Sequence, residues 1–147
     1  MHLKIINFFF YFFIIQLNNN LLFASDIKIG VVEIKKSNTI FEVEIADSQQ
    51  KRSKGLMFRS ALGINRGMLF VFPTESYVSV WMKNTLLSLD IIFISKNKMI
   101  VDLVEKATPM SERIYTSKKN TKYILEINSG LIKSLSINIG DKVNIEY

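Results

Sequence analysis

The chain is 147 residues long, has no cysteine, and carries one histidine, His2. Disulfides, thiolate nucleophiles and thiolate metal ligands are excluded, and beyond residue 2 so are His-based triads and His zinc sites. The formal net charge is +6. The lysines are scattered, however, and the densest group, Lys118, Lys119 and Lys122, is small, so a solvated surface is expected and nucleic acid is not.

Met1 to Lys4 make a short positive start, and Ile5 to Leu17 are apolar except at Asn7 and Gln16. Asn18 to Asn20 interrupt this run, and Ala24 and Ser25 are small residues before Asp26. This is the layout of a secretory signal peptide, with a positive region, a short apolar region and small residues at the cut. Residues 1–25 are read as the leader and 26–147 as one domain, exported to the periplasm or secreted. The alternative is an uncleaved leader that tethers the domain, and any membrane contact is expected only through it.

Ile27 to Ile34 read as a first strand. Ile40 to Ile45 alternate with period two, which puts Phe41, Val43 and Ile45 on a core face. Asp47 or Ser48 caps a helix running from Gln49 to Phe58. Gly55 inside it marks a close approach to the sheet or an early helix end. Gly67 to Phe72 are a buried strand stopped by Pro73. Tyr77 to Met82 alternate, with Val78, Val80 and Met82 on one face and Tyr77, Ser79 and Trp81 on the other. Leu89 to Ile94 are a nearly unbroken apolar run and so a central strand. Lys96 to Lys98 turn the chain into a partner strand from Met99 to Val104. Ala107 to Lys119 are looser. Tyr123 to Ile127 form another strand, Ser129 caps a short helical turn through Leu135, and Val143 to Tyr147 make the last strand. The pattern predicts a mainly β fold, a small antiparallel sandwich or barrel with one or two short helices.

The ordered set Arg52-x-x-Gly55-Leu56-Met57-Phe58-Arg59, Gly67 to Pro73, Trp81-Met82-Lys83-Asn84-Thr85, Leu89-Asp90-Ile91 and Gly140-Asp141-x-Val143 resembles the DUF192 family, also labelled UPF0127. The resemblance spans about Phe41 to Tyr147. It implies a small, mainly β domain, often behind a signal peptide, with no established activity. Val80 and Ser88 depart from the usual pattern, which has Phe before the Trp and Pro before the Leu-Asp pair.

Lys, Asn, Thr and Asp fall inside an otherwise apolar stretch, and buried polar groups need partners. The candidate ligand-binding residues are therefore Arg59, Trp81, Lys83, Asn84, Thr85 and Asp90. An indole beside amine, amide and hydroxyl groups suits a sugar or another flat-faced polar ligand. Trp81 can instead plug the core, with Asn84 and Thr85 serving a tight turn. Trp81 is expected at least half buried, on one sheet with Leu89 to Ile94. Lys83 and Asp90 are expected to pair, directly or through Asn84 or Thr85. Arg59 answers the helix dipole and a carboxylate, or clamps an anion. Glu44, Asp90 and Glu126 are strand carboxylates read as surface or ion-pair groups. Met57, Met68, Met82 and Met110 are read as core filler rather than a soft-metal site. The expected function is non-catalytic binding of a small polar ligand or envelope component by a monomer, with no metal and no cofactor. The alternatives are a carboxylate-dependent hydrolase of envelope carbohydrate and an interaction module without a small-molecule site.

Overall fold

The structure, a computed structural model, describes residues 27–147. The leader and its cut therefore lie outside the described residues. The strands are β1 (Ile29–Ile34), β2 (Thr39–Ala46), β3 (Arg66–Ser76), β4 (Ser79–Val80), β5 (Leu89–Ile94), β6 (Ile100–Ala107), β7 (Tyr115–Thr116), β8 (Thr121–Asn128) and β9 (Val143–Glu146). Two short helices, α1 (Gln49–Lys54) and α2 (Leu131–Ser134), follow β2 and β8.

Seven strands form one sheet in the order β6-β5-β8-β3-β2-β1-β9, and β4 pairs with β7 in a separate two-stranded sheet. The large sheet curls into a half-barrel. Its two edge strands approach each other where Met99 bridges Lys142, and Val143 N–H donates to the Lys98 carbonyl at 3.0 Å.

The fold is mainly β as the alternation predicts, with one departure from antiparallel pairing. β2 and β3 run parallel, with Glu44 opposite Met68. The chain crosses through α1 and a loop between them, and this length of connection is what a parallel pair needs. Nor does β3 stop at Pro73. It continues to Ser76, and the irregularity in its ladder to β8 falls between Val71 and Ser76, where a residue without an N–H is tolerated.

Period two sorts the strands into two cores. Phe41, Val43, Ile45, Leu69, Ile92, Ile94, Leu125 and Ile127 fill the inner face. Met68, Phe70, Ile91, Phe93 and Ile124 point to the outer face, where Leu56, Val78, Met82 and Tyr115 cover them. β5 is buried at every position, because both of its faces are covered. Met68 and Met82 are core residues here, whereas Met110 is exposed. Gly67 lets β8 come close: a Cβ there would sit 2.6 Å from the Glu126 carbonyl oxygen.

Ser48 caps α1 by accepting the Lys51 N–H at 3.2 Å. The helix ends earlier than its composition suggests, at Lys54. Gly55 follows with φ +48, and a Cβ there would meet the Phe70 ring at 3.2 Å. Both readings of that glycine, helix end and close approach, hold together.

Candidate functional site

A cleft of about 300 Å³ opens between α1 and the segment around β4. Arg52, Ser53 and Lys54 of α1 form one wall, and Ser79, Val80 and Trp81 form the other. Leu56, Phe70 and Phe72 supply apolar lining, and Glu126 and Thr85 also line it. The stretches that carry the family resemblance at 52–57 and 81–85 thus meet in one place.

Glu126 lies on β8, directly between Met68 of β3 and Ile91 of β5 in the sheet register. It is 5% exposed, and among the described residues no hydrogen bond or ion pair reaches its carboxyl. Burial among apolar neighbours pushes that carboxyl up to about 8. At neutral pH it is therefore a neutral acid, able to donate one hydrogen bond and accept others. Glu126 is thus neither the surface group nor the ion-pair partner that the sequence predicts. The available signal was its position inside Ile124-Leu125-Glu126-Ile127, a run apolar on both of its faces.

Arg52 is held in place on the wall. Its Nη1 donates to the Asp47 carbonyl at 2.9 Å and to the Val71 carbonyl at 2.8 Å, and its guanidinium stacks 5.3 Å from the centre of the Phe72 ring. Trp81 forms the rim at 45% exposed, so it is about half buried but plugs no core. It also lies outside the sheet of β5, because the Tyr77 to Met82 strand shrinks to Ser79–Val80, paired with Tyr115–Thr116. The alternation in that stretch holds nonetheless, with Val78 and Met82 buried and Tyr77 and Trp81 outward.

Of the other candidates, Thr85 joins Trp81 in the cleft. Its hydroxyl donates to the Lys83 carbonyl at 3.3 Å and its N–H to the Met82 carbonyl at 3.1 Å, which is turn chemistry. Asn84 adopts φ +55, a conformation asparagine tolerates, and its carbonyl accepts the Phe58 N–H at 2.8 Å. Lys83 does not pair with Asp90. It meets Glu112 at 3.1 Å and lies 5.2 Å from the Trp81 ring centre.

Asp90 faces the inner core, fully buried, and accepts the Lys106 N–H at 2.9 Å and the Ile132 N–H at 2.8 Å. It thereby caps α2 from another strand. Ser129 does not, and the N-cap position itself, Gly130, offers no side chain.

Arg59 sits in a second, smaller cleft with Glu44 and Met68. It donates to both Glu44 oxygens, at 2.5 and 2.6 Å. This bidentate bond holds the Glu44 carboxyl below its ordinary range, against a smaller opposing effect of burial. Glu44 and Glu126 share one row of the sheet with Met68 between them, yet one is committed to an arginine and the other is unpartnered. Among the described residues, no group of three or more acidic or histidine side chains gathers as a metal site.

The family DUF192, described as Uncharacterized ACR, matches residues 31–145. The chain belongs to this family. A UPF0127 protein of Thermococcus sibiricus is 37% identical over 106 residues, covering 71% of this chain and 66% of the relative's own length. One from Pyrococcus furiosus is 35% identical over 104 residues, covering 69% of this chain and 84% of that relative. Among solved structures, a Novosphingobium aromaticivorans protein of unknown function superposes with a TM-score of 0.75 at 35% identity, covering 80% of this chain and 84% of the other. A Sinorhizobium meliloti protein, described as a candidate transcription regulator, gives 0.75 at 37% identity, covering 80% and 92%.

Proposed function

We propose that this DUF192 domain binds a small polar ligand in the cleft between α1 and Trp81, without catalysing a reaction on it. The observation that carries this reading is Glu126. Glu126 is 5% exposed between Met68 and Ile91, its carboxyl meets no partner among the described residues and opens only on the cleft, and a bound polar group would supply the missing hydrogen bond. The half-exposed Trp81 ring on the rim supplies a flat apolar face, as a sugar ring would require. The leader read in residues 1–25 supports a site of action outside the cytoplasm. Mass spectrometry of the secreted protein tests that part, with a start at Ser25 or Asp26 expected and an intact Met1 in membranes counting against it.

Hydrolysis by a carboxylate pair is less well supported, since Glu44 is bound to Arg59 in the neighbouring cleft and, among the described residues, Glu126 is the one acid lining this one. Nucleic acid is not the proposed partner either. Several surface cations pair with carboxylates, as in Lys35–Glu33, Lys51–Asp47 and Lys118–Asp102, which leaves them less available to phosphates.

Trp81 is the only tryptophan in the chain, so its fluorescence reports on the cleft directly. Titration of the 26–147 domain with a panel of mono- and oligosaccharides should give a saturable change in emission and a matching rise in Tm. A panel that moves neither signal would overturn the reading.

A further inference from the structure

The walls of the cleft indicate which polar ligand it takes, if the ligand-binding reading above is right. Its two charged wall residues are both cations on α1, Arg52 and Lys54, and neither forms an ion pair among the described residues. Arg52 is already fixed through Nη1 by two carbonyl oxygens and by the Phe72 ring. Its Nη2 and Nε make no hydrogen bond to the described residues, and a guanidinium fixed in this way loses little entropy on meeting an oxyanion. On the floor, a buried carboxyl with no partner offers a donor rather than a charge.

We infer that the ligand is an anionic sugar, a carboxylate or phosphate on a flat polar ring, with its oxyanion on Arg52 and Lys54 and a ligand oxygen receiving a hydrogen bond from Glu126. The ring lies against Trp81. An amine-bearing ligand fits worse, because Arg52 and Lys54 repel it and Glu126 offers it no negative charge at neutral pH.

This assignment fixes the pH trend. The charged groups lining the cleft with Glu126 are Arg52 and Lys54 from α1; β3 presents Met68, Phe70 and Phe72, β5 presents Ile91, and the covering segment presents Trp81 and Thr85. Glu44, next in the row, is held by Arg59. As pH rises through about 8, Glu126 ionises and turns from donor to repulsive charge. Affinity for an anion falls there, whereas affinity for an amine would rise.

Trp81 emission is titrated with glucose, glucuronate, glucose 6-phosphate and glucosamine, at pH values on both sides of that transition. The anions are expected to bind about tenfold tighter than glucose, the scale of one charge-assisted contact. Below the transition, where its amine is protonated, glucosamine is expected to bind weakest, and the better of the two anions identifies the oxyanion. Lys54→Gln, an exposed change that leaves the fold intact, should shrink the anion-over-glucose ratio severalfold, and Glu126→Gln should flatten the pH profile. Glucose or glucosamine binding as tightly as the anions overturns this inference and leaves the cleft reading standing. Failure of all four to bind overturns both.

Discussion

Asp90 and Glu126 are buried acids on adjacent strands, one register step apart, on opposite faces of the same sheet. The inner-face acid is fully provided for: one oxygen takes the Lys106 N–H and the other the Ile132 N–H, so its charge fixes a strand end and the start of α2. The outer-face acid has apolar neighbours and a cleft. The same chemical group thus serves architecture on one side and strains the fold on the other. Buried groups that cost stability without a structural return tend to mark sites kept for function. The ligand-binding proposal accordingly treats the inner face as scaffold and the outer face, around the cleft, as the working surface.

The largest expected effect tests the scaffold half of this contrast. Asp90→Ala removes the acceptor of two N–H groups, the buried one of Ile132 and the part-buried one of Lys106, and uncaps α2, and should cost about 4 kcal/mol by denaturant unfolding. A loss below about 1 kcal/mol would mean the two hydrogen bonds are dispensable and the contrast is false.

Glu126→Gln should act in the opposite direction. The folded-state pKa of Glu126, about 8, stands above its unfolded value of 4.5. Between these values the unfolded chain releases a proton that the native state keeps, so stability falls as pH rises through that window and the whole penalty is present above pH 8. Removing the titration should therefore stabilise the domain by several kcal/mol in mild alkali, with the gain fading to nothing in acid below 4.5. Unfolding curves of the two proteins that stay parallel across pH would sink the claim.

Glu44, two strands away in the same row, gives the mirror image. Its pKa is lowered, chiefly by the Arg59 hydrogen bonds, so the pair stabilises the fold above the ordinary carboxylate value and the benefit is lost as pH falls through the folded value. With Arg59 about a third exposed, solvent screening holds the expected loss in Arg59→Gln to about 1 kcal/mol at neutral pH. That deficit should disappear in acid, where the gain from Glu126→Gln also disappears.

Much of the scaffold was legible in the sequence because it depends on local pattern. The continuous apolar run Leu89 to Ile94 reads as a central strand, Phe41, Val43 and Ile45 as an inner face, and Ser48 as a cap. What escaped depends on partners distant in sequence. Nothing near Asp90 reveals that Ile132, 42 residues away, will present its N–H. Proximity in the chain predicts a Lys83–Asp90 pair, but the turn sends Lys83 outward to Glu112 and Asp90 inward. The parallel pairing of β2 with β3 and the short β4–β7 sheet likewise arise from crossings that no single stretch encodes. Of the candidate ligand-binding residues, Trp81 and Thr85 line the cleft, whereas Arg59 lines the neighbouring one and Asp90 faces the inner core. The burial of Glu126 does not show in its residue type, because an acid inside a strand reads as a surface group until both faces of that strand are known to be covered.

Trp81 offers the smallest effect on stability and the sharpest separation of scaffold from site. A tryptophan plugging a core should cost about 3 kcal/mol or more when cut to alanine. Here the ring is half exposed on the rim, beyond the end of a two-residue strand, with Lys83 beside it rather than a closed apolar shell. Trp81→Ala should therefore cost less than about 1 kcal/mol in unfolding. The same change removes the one flat aromatic face that the described residues place on the wall opposite Arg52 and Lys54. Ligand-induced stabilisation, followed by calorimetry since the fluorophore is gone, should be lost in the variant while its unligated Tm barely moves. A large stability loss would return Trp81 to the scaffold, and unchanged ligand response would take it out of the site.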